Sequence, residues 1–73
     1  MKVLVIMKDK TMYKGIKCGS ESGLLYLVNP FILSEDTRGK VEGLLESPVG
    51  DEVEGVRISL FPIADIGTIK LAR

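Results

Sequence analysis

Apolar residues along the chain fall into five short runs that are rich in Val, Ile and Leu and are separated by polar turns. The runs cover residues 3–7, 12–18, 24–33, 56–61 and 66–71. Short runs of β-branched and large aliphatic residues, broken at intervals of roughly eight to twelve residues, are typical of a small β-sandwich or barrel. The pattern therefore predicts an all-β domain of five strands.

Polar segments with turn-forming residues join these runs. Lys8-Asp9-Lys10 connects the first two, and an Asp side chain there can accept a hydrogen bond from the backbone further along, which favours a tight hairpin. Residues 19–23, with Gly at both ends, are predicted to form the second turn. Pro62 lacks a backbone N–H, so we expect it to end the fourth strand before a single turn over residues 63–65.

Two positions inside the predicted strands favour bends. Gly15 lies within the second strand, where a missing Cβ allows a sharp bend or a close backbone approach, as a closing barrel requires. Asn29-Pro30 within the third strand is interpreted in the same way, as a bend.

Apolar and polar residues alternate in the fourth strand, which predicts a half-buried strand with its apolar side against the core. The apolar side consists of Val56, Ile58 and Leu60, and the polar side of Arg57 and Ser59.

Residues 34–55 differ from the rest because turn-like sequences flank a short apolar stretch. The tripeptide Val41-Glu42-Gly43 recurs as Val53-Glu54-Gly55, which marks either the two arms of an extended hairpin or a coincidence of three residues. We expect a single domain, residues 1–73, with this long segment between the third and fourth strands. A loop of this length in a small domain is usually either functional or mobile.

Composition narrows the class of protein. The chain has 73 residues, 45% of them hydrophobic, and no apolar run near the roughly 18 residues needed to cross a bilayer, so we expect one soluble, cytoplasmic domain. The single Cys18 and the absence of His leave no intrachain disulfide and no zinc or haem spacing. We therefore predict no metal, no cofactor and, since no nucleophile and base can be paired, no enzyme activity. Cys18 is expected to be a small buried residue.

Charge is unevenly distributed although the net charge is zero. Residues 1–17 hold five Lys and one Asp, whereas residues 18–56 hold eight acidic and two basic residues. The candidates for contacts with a phosphate backbone are Lys8, Lys10, Lys14 and Lys17, and the alternative for each is an ordinary solvated lysine. Tyr13 and Phe61 could stack on bases if they point outward, but aromatic residues beside apolar strands usually belong to the core.

The first and third predicted strands carry apolar side chains on both faces. A single barrel has only one interior, so the second face must be covered either by the long middle segment or by another chain. Open strand edges favour pairing with a second copy as well. The sequence therefore predicts self-association.

Two segments together resemble the Sm-like (LSm) family. Residues 3–19 resemble its first motif, an apolar strand followed by a Lys-Asp turn and a strand with an aromatic residue and a Gly two positions apart, here Tyr13 and Gly15. Residues 58–69 resemble the strand-turn-strand of its second motif, in the variant in which a Pro introduces the turn.

This resemblance implies a strongly bent, five-stranded antiparallel barrel of the SH3 type. It also implies homo-oligomeric rings of about five to seven subunits, joined between the fourth strand of one copy and the fifth strand of the next. The family's partner is single-stranded RNA, or an RNA–protein complex, bound at the turns around the pore. The residues that fall at these turns are Ser20, Glu21, Ser22, Gly23 and Leu25, and Pro62, Ile63, Ala64 and Asp65.

Several positions depart from the family pattern. Lys10 replaces the usual Gly of the first turn, which is tolerable where that turn needs no positive φ. The positions that stack on and bond a base fall on Gly23 and Leu25, and Gly23 offers no π-face for stacking. These departures favour an alternative function, a structural or protein-interaction barrel that has the same fold without RNA recognition.

Overall fold

The structure is a computed structural model that describes residues 1–33, 43, 45 and 55–71. Its elements are strands β1 (Lys2–Met7), β2 (Met12–Glu21), β3 (Leu24–Ile32) and β4 (Ile58–Pro62), a 3₁₀ turn (Ile63–Asp65), and strand β5 (Ile66–Leu71). The prediction of an all-β fold with five strands is confirmed, and the 3₁₀ turn follows Pro62 as expected. The repeated Val-Glu-Gly tripeptide lies mostly outside the described residues.

All five strands belong to one antiparallel sheet with the order β4-β3-β2-β1-β5. Within the part of the chain that the structure describes, β4 and β5 are the two edges and do not pair with each other. The sheet is therefore open, and the closed barrel and its Sm-like identity remain predictions.

The turn between β1 and β2 forms as its sequence predicts. The Asp9 carboxylate accepts a hydrogen bond from the Thr11 backbone N–H at 2.9 Å, and the Lys10 N–H donates to the Met7 carbonyl at 3.0 Å. Lys10 has φ +76°, in the left-handed region. The turn thus does need a positive φ, and Lys10 occupies a position that Gly would fill with less strain.

The second turn is shorter than predicted, because β2 continues to Glu21. Gly19, Ser20 and Glu21 pair with β3 despite their polar or small side chains, since the ladder joins backbone groups. Only Ser22 and Gly23 remain in the turn, with φ of +53° and +75°. Two positive φ angles are typical of the tight hairpin turns whose twist matches that of the flanking strands.

Gly15 allows the close approach that its position predicts. A Cβ at this position would lie 3.2 Å from the carbonyl oxygen of Val28 and 3.3 Å from the Cα of Pro30. The register between β2 and β3 shifts here, because Lys14 pairs with Phe31 whereas Ile16 pairs with Val28. The two unmatched residues of β3 are Asn29 and Pro30, so the predicted bend is confirmed.

Asn29 holds this bend against the chain that enters β4. It has φ +50°, and its backbone N–H donates to the Arg57 carbonyl at 2.7 Å. Its side-chain oxygen accepts from the Arg57 N–H at 2.8 Å, and its Nδ2 donates to the Gly55 carbonyl at 3.2 Å. Three hydrogen bonds therefore connect one residue of β3 to residues 55–57.

Apolar clusters lie on both faces of β1. The inner cluster is formed by buried residues of β1, β3 and β4, with partly buried neighbours around it: Val3, Val5, Leu25, Leu27 and Phe61, packed against Met7, Tyr13 and Ile66. The outer cluster consists of Leu4, Met12 and Leu33, with Ile6 and Leu45 against it. Leu45 belongs to the long middle segment, so this residue of the segment helps to cover the second apolar face of β1.

The prediction that Ile58 and Leu60 of β4 face the core is wrong. Phe61 is buried opposite Leu25, and the period of two along a strand then turns Ser59 inward beside Leu27. Ile58 and Leu60 consequently point away from the inner cluster and are 60% and 55% exposed. One large aromatic side chain in the core fixes the orientation of the strand, although the aliphatic residues alternate in the opposite sense.

Candidate functional site

The β1–β2 turn and the β2–β3 turn both contact the 3₁₀ turn that connects β4 to β5. The Ile63 N–H donates to the Gly23 carbonyl at 2.9 Å, and the Lys8 N–H donates to the Asp65 carbonyl at 2.8 Å. These bonds join the β2–β3 turn and the β1–β2 turn to the β4–β5 connection. We call residues 8–10, 22–23 and 63–65 the turn cluster.

The turn cluster requires a strong bend in β2. Its ten residues would span roughly 30 Å if the strand were straight, at about 3.3 Å per residue. The turns at its two ends nevertheless contact the two ends of one 3₁₀ turn of three residues, which is only about 6 Å long. β2 is therefore bent, and the register shifts at Gly15 and Cys18 allow the bend.

A pocket of about 250 Å³ lies within the turn cluster and is lined by Met7, Lys8, Asp9 and Asp65. Its lining residues include one lysine and two aspartates, and the Asp9 carboxylate accepts the Thr11 N–H. The described residues hold no group of three or more His, Cys, Asp or Glu side chains arranged to bind a metal ion.

Most of the predicted RNA-binding residues lie in or beside the turn cluster. Ser22, Gly23, Ala64 and Asp65 belong to it, together with the phosphate candidates Lys8 and Lys10. Ser20 and Glu21 form the exposed end of β2 that enters the β2–β3 turn. The geometry therefore brings together residues that are about forty positions apart in the chain.

Two of the lysine candidates lie elsewhere. Lys17 is on β2 away from the turns, and its backbone N–H donates to the Met1 carbonyl at 2.8 Å. Lys14 is only 2% exposed, on the outer side of the sheet between Leu4 and Phe31 in the register. This burial differs from the expectation of a solvated lysine, and Lys14 has an interaction partner.

Tyr13 and Phe61 pack together in the inner cluster, as the core interpretation predicts. Their ring centroids lie 4.9 Å apart at an interplanar angle of 61°, an edge-to-face arrangement. Both rings are thus used in folding and neither lies in the turn cluster. A base bound there would have to be recognised by hydrogen bonds and charge rather than by these rings.

The prediction that Cys18 is buried is wrong. Cys18 is exposed, and its Sγ donates a weak hydrogen bond to the Tyr26 carbonyl at 3.6 Å. The cause is the register shift between Lys17 and Gly19, which leaves Cys18 as the extra residue of a bulge.

The sequence pattern does not predict the three hydrogen bonds of Asn29 that are described above, and it predicts the wrong outward side of β4. For β4 the sequence does contain an indication, because a large Phe next to a Pro at the end of a strand can occupy the core in place of the alternating aliphatic residues. For Asn29 the signal was weaker, since Asn is among the few residues that adopt a positive φ readily.

Comparisons with protein-family models, with curated proteins and with solved structures gave no match to this chain. Among the described residues, no helix is both long enough and apolar enough to span a bilayer.

Proposed function

We propose that this chain is a non-catalytic assembly protein of the Sm-like type, whose copies join edge to edge into a ring and bind single-stranded RNA at the turn cluster. The observation that carries the proposal is the pair of backbone hydrogen bonds that hold the three turns together. It supports a prearranged binding surface built from turns, which a family of this type would use.

The sheet edges support the assembly part of the proposal. β4 and β5 are the terminal strands, and each presents exposed apolar side chains, Ile58 and Leu60 on β4 and Ile69 and Leu71 on β5. Unpaired strand edges with apolar side chains tend to pair with another strand. A contact between two unlike edges is head-to-tail, and it gives a ring when the rotation between copies closes.

Charge supports the RNA part. The described residues contain seven basic and three acidic side chains, so the sheet itself is positive although the whole chain is neutral. Lys8 and Lys10 place two of these charges in the turn cluster. Each lysine that neutralises a phosphate releases counterions and strengthens binding at low salt.

An alternative function is a ring that binds protein and not RNA. The packing of Tyr13 and Phe61 against each other in the inner cluster favours it, because among the described residues no aromatic ring belongs to the turn cluster. Base stacking supplies about 1–3 kcal/mol per base in single-strand binders, and this surface lacks that contribution.

Fluorescence anisotropy with short U-rich and A-rich RNA at two salt concentrations tests the RNA part. We expect binding that weakens with salt, and a loss of about five- to tenfold in the Lys8→Glu variant. Lys17→Glu, which makes the same charge change outside the turn cluster, serves as the control and should have a smaller effect. No binding at low salt, or equal losses in both variants, would support the protein-binding alternative.

Analytical ultracentrifugation tests the assembly part independently of RNA. We expect the wild-type chain to sediment as a closed oligomer well above its monomer mass of 8.0 kDa. Leu71→Lys adds a charge to the β5 edge and should dissociate the oligomer at micromolar concentration. A wild-type monomer at that concentration would exclude the ring.

A further inference from the structure

We draw no further inference here: the strongest candidate, the exposed apolar surface that Ile16, Ile58 and Leu60 form on the side of β2, β3 and β4 away from the inner cluster, carries no proposal because nothing in the part of the chain that the structure describes shows what covers it.

Discussion

The backbone N–H of Ile63 donates a 2.9 Å hydrogen bond to the carbonyl of Gly23, forty residues earlier in the chain. This bond extends the β3–β4 ladder by one step beyond the Leu24–Pro62 pair, and the Lys8–Asp65 bond likewise extends the β1–β5 ladder beyond the Met7–Ile66 pair. One 3₁₀ turn of three residues can receive both bonds because β2 bends at the register shifts near Gly15 and Cys18. The candidate site is thus a product of the bend, and changes to the bend should affect it.

Replacement of Gly15 by Ala should destabilise the fold by about 1–3 kcal/mol, because the added Cβ would lie 3.2 Å from a backbone carbonyl that cannot move aside easily. Urea unfolding followed by circular dichroism measures the change. Gly19→Ala is the control, since a Cβ there has no atom within 4 Å and φ is not positive. Equal stability of the two variants would contradict the close approach at Gly15.

Replacement of Lys10 by Gly should stabilise the protein by about 1 kcal/mol. A left-handed conformation costs a residue with a side chain about 1–2 kcal/mol, and the greater freedom of Gly in the unfolded chain offsets part of that gain. Thermal or urea unfolding of the two proteins gives the difference. Lys10→Ala removes the same charge without relieving the strain, so a gain of similar size in that variant would assign the effect to charge.

Replacement of Asn29 by Ala should cost about 2 kcal/mol, since it removes two side-chain hydrogen bonds and leaves a Cβ at φ +50°. Asn29→Gly removes the same bonds without the strain, and we expect it to lose about 1 kcal/mol. The difference between these variants in chemical denaturation separates the bonds from the backbone conformation. Full stability of Asn29→Gly would show that the side chain contributes little.

Reversal of charge at Lys14 should act on the fold and not on a ligand. Lys14 is buried and has an interaction partner, so Lys14→Glu should reduce the free energy of unfolding by about 3 kcal/mol or more. Lys17→Glu, on the same strand, should change it much less. Intact stability of Lys14→Glu would indicate that this side chain reaches solvent.

The positions of the strands could be predicted from the sequence because each strand coincides with a run of aliphatic residues bounded by turn formers. The Asp9 turn, the bend at Asn29-Pro30 and the 3₁₀ turn after Pro62 could be predicted for the same reason, since each depends on the local chemistry of one or two residues. The bounds of β5 agree with the prediction to the residue.

The errors have a common physical origin in contacts between distant segments. Residues 19–21 form strand because β3 pairs with them, and Ser59 faces inward because Phe61 fills the core. Cys18 is exposed because it is the extra residue of a bulge, and the position of that bulge depends on how β2 pairs with β3. Lys14 is buried although its neighbours in sequence give no sign of it. The assembly of the turn cluster likewise could not be predicted, because it depends on how sharply β2 bends.

The open sheet has two unlike edges, so nothing within one copy limits the number of copies that can add edge to edge. Each copy that adds to one edge regenerates that edge, so the angle between successive copies decides between a finite circle and an endless fibre. Gly15 and the bulge at Cys18 set the curvature of the sheet and therefore that angle. A substitution at either position could leave every copy folded and still convert a discrete particle into a polymer.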